Sequence, residues 1–136
     1  MNDCLFCKII AHEIPCDMVY EDETCMSFLD IHPVNKGHVL IVPKQHCLGS
    51  HDADPEVLSK LMLAIQKIAQ AMMNATTAPA YNIFQNNGIE AGQVIPHLHF
   101  HLIPRFAHDG HLQWHGNVEY SQGEAKEIAG RIKNYF

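Results

Sequence analysis

The chain has 136 residues, 47% of them hydrophobic, and a formal charge of −6 at neutral pH; that is enough for one domain with a buried core. The lysines and arginines form no cluster, which argues against binding a nucleic-acid backbone, though a small nucleotide needs only a few donors. No apolar run approaches the ~20 residues of a membrane span. An N-terminus reading Met1-Asn2-Asp3-Cys4 and an odd set of five cysteines fit neither a signal peptide nor a disulfide framework, so a reducing cytoplasm is expected.

In chain order, Cys4 to Ile10 reads as one or two helical turns. Met18-Val19-Tyr20 and Cys25 to Leu29 read as short strands joined by the polar turn Glu21-Asp22-Glu23-Thr24. The stretch from Asp30 to Gly37, punctuated by Pro33, is a loop, and His38 to Val42 is an apolar strand ended by Pro43. Asp54-Pro55-Glu56 opens a helix: Asp54 can cap, Pro55 suits the first turn, and Glu56 favours the positive end of the dipole. Leu58, Leu61, Ile65, Ile68 and Met72 then form one apolar stripe. Tyr81 to Gln85 is a strand, and Asn87-Gly88 and Ala91-Gly92 mark a loop. Ser121 and Glu124 have capping-box spacing before a last helix whose apolar positions are Ala125, Ile128, Ala129 and Ile132. The order β-β-β-α-β-β-α predicts an α+β fold, a largely antiparallel sheet with helices against one face.

The most informative stretch is His97-Leu98-His99-Phe100-His101-Leu102-Ile103. Period-two alternation predicts a strand with Leu98, Phe100 and Leu102 in the core and three imidazoles on the other face. Nothing structural asks for three imidazoles there. Three readings stand: the histidines are inert and solvent-facing, two or three of them hold a catalytic zinc, or one is a nucleophile whose neighbours position the substrate. Cys4-Leu5-Phe6-Cys7 bears on that choice. A thioredoxin-like site needs a preceding strand, which this position lacks. A closed zinc site needs two more ligands, and His46 and His97 are the best candidates; otherwise the two cysteines are small buried residues. Zinc on His97 would take a ligand from the shared catalytic metal and favour the nucleophile.

The pattern H-φ-H-φ-H-φ-φ over residues 97–103 resembles the histidine triad (HIT) nucleotide hydrolases and transferases, in their bacterial-type form with C-x-x-C cysteines. Phe6 to Ile10, Glu13-Ile14-Pro15, Phe28-Leu29-Asp30-Ile31, Gly37-His38, Ile41 to Lys44, Glu90-Ala91-Gly92-Gln93 and Ile103-Pro104-Arg105 also look like family blocks. The likeness covers about residues 4–105 within a single domain spanning 1–136, with a looser tail and helix over 106–136.

The resemblance implies a five-stranded antiparallel sheet with two main helices, extended across a homodimer. It implies attack by His99 on the α-phosphorus of a purine nucleotide, a nucleotidyl-histidine intermediate, and release of a nucleoside monophosphate. His101 would donate to the phosphate, Gln93 would meet the bridging or leaving atom, and His38 would support the triad. Asn86 and main-chain N–H groups near Gly92 and Val94 would contact the phosphate side. Asp30 would bind the ribose hydroxyls, with Phe6, Ile9, Phe28 and Ile31 around the base. Cys4, Cys7, His46 and His97 match the zinc ligands of part of the family, a structural metal that catalysis does not require. Val94 stands where many members carry Ser or Thr, and Leu98 stands where the uridylyltransferase branch has proline. His108, His111 and His115 with Trp114 suggest a second metal site or solvent-facing residues, and Trp114 a reach into a partner subunit. The leading substrate is a nucleoside phosphoramidate or a related conjugate. The alternatives are a dinucleoside polyphosphate hydrolase, a regulatory or adaptor module with incidental turnover, and a zinc hydrolase built on the three histidines.

Overall fold

A computed structural model describes residues 3–110 and 118–136. Its elements are α1 (Leu5–Ile10), β1 (Met18–Glu21), β2 (Cys25–Leu29), β3 (Val39–Pro43), α2 (Pro55–Thr76), β4 (Ala80–Gln85), a 3-10 turn (Ile89–Ala91), β5 (Phe100–Arg105) and α3 (Glu124–Lys133). The strands form one antiparallel sheet in the order β1-β2-β3-β5-β4. The expected α+β fold, with five strands and two main helices, is present.

α2 begins as its sequence dictates. The Asp54 carboxylate accepts the Glu56 N–H at 2.8 Å, and Pro55 sits in the first turn. Its stripe of Leu61, Ile65, Ile68 and Met72 is buried, each side chain contributing about 1.5–3 kcal/mol. The last helix differs from its expected start. Glu124 accepts the Ser121 N–H at 2.9 Å, half of a capping box, but the residue preceding the helix is Gly123 at φ +79°, and the Ser121 hydroxyl caps no helical N–H.

Both faces of the sheet are covered, not one. Cys25, Leu29, Val39, Ile41, Phe100 and Leu102 pack with α2 and α3. The alternate residues Met26, Phe28, Leu40 and Val42 pack with Cys4, Phe6 and Ile9 of the N-terminal segment. A helix as short as α1 (6 residues) therefore seals the second face at its centre. This is why β2 and β3 are buried along their whole length. The register places Leu40 opposite His101 and Ile41 opposite Phe100. With period two, Asp30, His38, His99 and His101 then belong to the α1 side of the sheet, away from α2 and α3.

The histidine strand is shorter than its pattern. Ladder pairing starts at Phe100, because the main chain of residues 97 and 98 is bonded elsewhere. The His97 N–H donates to the Ile95 carbonyl at 2.8 Å, and the Leu98 N–H to the Cys47 carbonyl at 2.8 Å. Leu98 still reaches the expected core. His97, His99 and His101 do not line an open face; the first two are buried and the third is half-buried.

Candidate functional site

A chain of hydrogen bonds assigns the protons of the site. The Val34 N–H donates to Nδ1 of His38 at 3.0 Å. That nitrogen is an acceptor, so His38 carries its proton on Nε2. The His38 Nε2 lies 2.9 Å from Nδ1 of His101. It donates there, which places the His101 proton on Nε2. One main-chain N–H thus sets two ring tautomers. Burial drives His38 down to about 3 and His101 down to about 4, with neighbouring imidazoles adding to both. Both rings are therefore neutral at pH 7.

His99 carries the opposite assignment, with its proton on Nδ1. Its Nδ1 donates to the His97 carbonyl at 2.7 Å, the main-chain acceptor that a nucleophilic ring needs. The lone pair is left on Nε2. Burial holds this imidazole below its ordinary value, so it stays neutral at pH 7. Phe6 meets the ring edge-on at 5.1 Å between centroids, and His101 lies 5.0 Å away.

Asp30 stands at the rim. One carboxylate oxygen accepts the His32 N–H at 2.8 Å, a turn cap. The other is 3.6 Å from His38 Nε2 and 3.9 Å from His101 Nδ1. Burial pushes its carboxyl above the usual range. Phe6, Ile9 and Phe28 are buried in the α1-side core, whereas Ile31 is 76% exposed. Of the four expected base-pocket residues, Ile31 alone projects into solvent.

Gln93 is held as a clamp. Its amide oxygen accepts the Gly88 N–H at 2.7 Å, and its NH₂ donates to the Leu48 carbonyl at 2.8 Å and faces that of His97 at 3.5 Å. It ties the 88–93 turn to the 46–52 loop, instead of presenting an unoccupied amide to a leaving atom. The Gly92 N–H, expected as a phosphate donor, already binds the Ile89 carbonyl at 2.9 Å. Val94 is 85% exposed. Asn86 is half-buried, and its carbonyl accepts from Gln85 at 3.1 Å.

Cys4, Cys7, His46 and His97 converge beside this site. Cys4 Sγ and Cys7 Sγ lie 3.3 and 3.7 Å from His97 Nδ1, Cys7 Sγ lies 3.4 Å from His46 Nδ1, and the two Nδ1 atoms are 3.1 Å apart. Tetrahedral zinc with two sulfur and two nitrogen ligands sets neighbouring donors about 3.3–3.8 Å apart. His97 Nε2 donates to the Pro43 carbonyl at 2.9 Å, which leaves the Nδ1 lone pair toward the cluster and fixes the ring. The four residues fit zinc. Such a closed site would pin α1 to the ends of β3 and β5.

Asp30, His38 and His101 also cluster, but their chemistry differs. The His38 Nδ1 lone pair is engaged by Val34, so Nε2 bears hydrogen and offers a metal no lone pair. Of the tail, His108 is described and its residue adopts φ +64°. His111, Trp114 and His115 lie outside the described residues.

Sequence reasoning missed the Val34 N–H and the anchors of the 30–38 loop. Asn35 Nδ2 donates to the Pro104 carbonyl at 2.9 Å and to Asp109 at 2.8 Å. Asp109 also pairs with Arg105 at 3.0 Å. A main-chain donor leaves no signature in side-chain pattern, and Asn35 reads as an ordinary loop residue.

The geometry has counterparts in known proteins. The model of the HIT domain matches residues 11–108. The chain is 44% identical over 108 residues to Adenylylsulfatase HINT3 of Arabidopsis thaliana, covering 79% of this chain and 55% of that protein, so it spans about half of that relative's length. It is 42% identical over 106 residues to the Adenosine 5'-monophosphoramidase HNT1 of Candida albicans, covering 75% of this chain and 70% of that one. Among solved structures, a zinc-bound histidine triad family protein from Mycobacterium smegmatis superposes with a TM-score of 0.87 at 30% identity, over 98% of this chain and 93% of that one. With its histidine motif, sheet order and cysteine–histidine cluster all in place, the chain belongs to the HIT family.

Proposed function

We propose that this protein is a nucleotide hydrolase or transferase that attacks the α-phosphorus of a purine nucleotide through His99. The observation that carries the reading is the bond from His99 Nδ1 to the His97 carbonyl, which turns a neutral Nε2 lone pair to the reaction. In the first step Nε2 bonds to phosphorus as the bond to the leaving group breaks; an amine leaves with a proton taken from solvent, and the Nδ1 proton stays on the ring against the His97 carbonyl. In the second step water cleaves the P–N bond, releases a nucleoside monophosphate and restores the ring. His101, with its proton on Nε2, donates to a phosphoryl oxygen as negative charge gathers there. Asp30 takes the ribose hydroxyls, and Phe6, Ile9, Phe28 and Ile31 shape the base side. Gln93 acts by holding the two loops around the phosphate, where Asn86 and the Val94 main chain contribute. The metal site of Cys4, Cys7, His46 and His97 is structural.

The names of the two relatives support an adenosine nucleotide with an amine or sulfate leaving group. Initial rates on an adenosine phosphoramidate, adenylyl sulfate and a diadenosine polyphosphate test this. Faster turnover of the first two supports the reading, and a dominant polyphosphate rate selects the dinucleoside alternative. Biological activity retained in His99→Asn would favour an adaptor. β4 lies at the sheet edge with Ile83 exposed, and α2 exposes Met62 and Leu63. This supports a homodimer in which the sheet continues across two copies, and sedimentation velocity measures it.

A further inference from the structure

The loop over residues 30–38 holds the proton assignment of the site; Asn35 anchors its middle to Pro104 and Asp109, and the C-terminal segment adds contacts to the stretch leading into His38. At its base the Asp30 N–H donates to the His38 carbonyl at 2.9 Å, and at its tip the His38 N–H donates to the Asn35 carbonyl at 3.1 Å. Between them Val34 must present its N–H to the His38 ring. Among the described residues, three polar contacts reach this loop from beyond residue 117. The Lys36–Glu124 pair at 2.9 Å is largely exposed and is worth little. The Val118 N–H meets the Pro33 carbonyl at a long 3.4 Å. The third is the Gly37 N–H, which donates to the Tyr120 hydroxyl at 3.0 Å.

That third contact is the best placed. Gly37 immediately precedes His38. It takes φ +98°, and a Cβ there would lie 2.5 Å from Thr76 Cγ2, so the main chain is pressed against the end of α2 and depends on glycine. The Tyr120 ring packs on the core between the sheet and α2 and α3, which makes its hydroxyl a fixed acceptor.

We propose that Tyr120 is a positioning residue for the His38–His101 pair: by accepting the Gly37 N–H it keeps the loop where the Val34 N–H fixes the His38 tautomer. The proposal rests on the His99 reading above, in which His101 must present a proton to the phosphate. Without the hydroxyl the loop relaxes, His38 exchanges tautomers, and the population with hydrogen on His101 Nε2 falls. Burial pushes the Tyr120 phenol up to about 12, so it stays a neutral acceptor through the working pH range.

Tyr120→Phe removes the acceptor and keeps the ring. In the full chain it is expected to lower kcat on an adenosine phosphoramidate about fivefold, the worth of one hydrogen bond, with KM unchanged. In a His38→Ala background the same substitution is expected to change nothing further, because the ring it serves is gone. An equal loss in both backgrounds, or no loss in either, overturns the proposal. Imidazole ¹⁵N shifts of the substrate-free protein give a second readout. His38 should show a single Nε2–H tautomer in the wild type and a mixture in Tyr120→Phe, and an unaltered tautomer in the variant overturns the proposal. If the wild type has no turnover on any nucleotide tested, the His99 reading fails while the ¹⁵N comparison still decides the role of Tyr120.

Discussion

His38 and His101 share one hydrogen bond of 2.9 Å between Nε2 and Nδ1, and the Val34 N–H decides which ring owns the proton. The result is a donor on the far side of His101, obtained without a charged residue. In the proposed reaction, a phosphoryl group gathering negative charge would be met by a polarised neutral N–H.

Removing the two members should therefore cost different amounts. His101→Ala deletes the donor itself and should lower kcat about 100-fold. His38→Ala leaves the donor but frees its tautomer and removes the bond that polarises it, and the loss should be roughly tenfold, about 1.4 kcal/mol. KM for the nucleotide should move little in either variant. Steady-state kinetics on one substrate check the ratio, and equal losses would place both rings in direct contact with the phosphate.

The same rings make stability depend on acid. In the folded state His38 titrates at about 3 and His101 at about 4; in the unfolded chain both titrate near 6.5. The folded pKa is depressed for a base, so the unfolded state takes up protons first as pH falls. Stability is full above about pH 6.5 and drains below it, approaching ~1.4 kcal/mol per pH unit for each ring. Urea melts between pH 7.5 and 5 should show this slope, and His38→Gln should remove one proton's share of it. A slope unchanged in the variant would mean that His38 does not stay neutral on folding.

The cysteine–histidine cluster predicts about one zinc per chain, retained through purification and lost in Cys4→Ser or Cys7→Ser. Because the metal would join α1 to the ends of β3 and β5, either substitution should reduce stability by several kcal/mol. Native mass spectrometry and thermal melts measure both effects. Metal-free protein with undiminished stability would contradict a structural role.

Much of this was legible in the residues. Short apolar runs bounded by turn residues gave β2 and β3, alternation gave the apolar half of β5, and Asp54-Pro55 marked the start of α2. The H-φ-H-φ-H pattern marked His97, His99 and His101 together, the resemblance gave His99 and His101 their separate expected roles, and C-x-x-C with His46 and His97 anticipated the cysteine–histidine cluster. What the pattern hid was local main-chain geometry. Residues 97 and 98 alternate like a strand, yet their N–H groups bond to Ile95 and Cys47, so the ladder begins later. The sequence predicted helices against one face only; the second face is covered by one or two helical turns, where Phe6 and Ile9 pack on the centre of the sheet. The resemblance makes Gln93 a substrate ligand; that it also bonds the main chain of Gly88 and Leu48 is something no side-chain pattern reveals.

The central claim is a transient bond between His99 Nε2 and the α-phosphorus. Intact-mass analysis of enzyme quenched during turnover of a slowly hydrolysed adenosine phosphoramidate tests it most directly. A species heavier by one adenylyl group, mapped to His99 and missing in His99→Asn, is the predicted result. Active enzyme whose mass never changes, or an adduct carried by another residue, would contradict it.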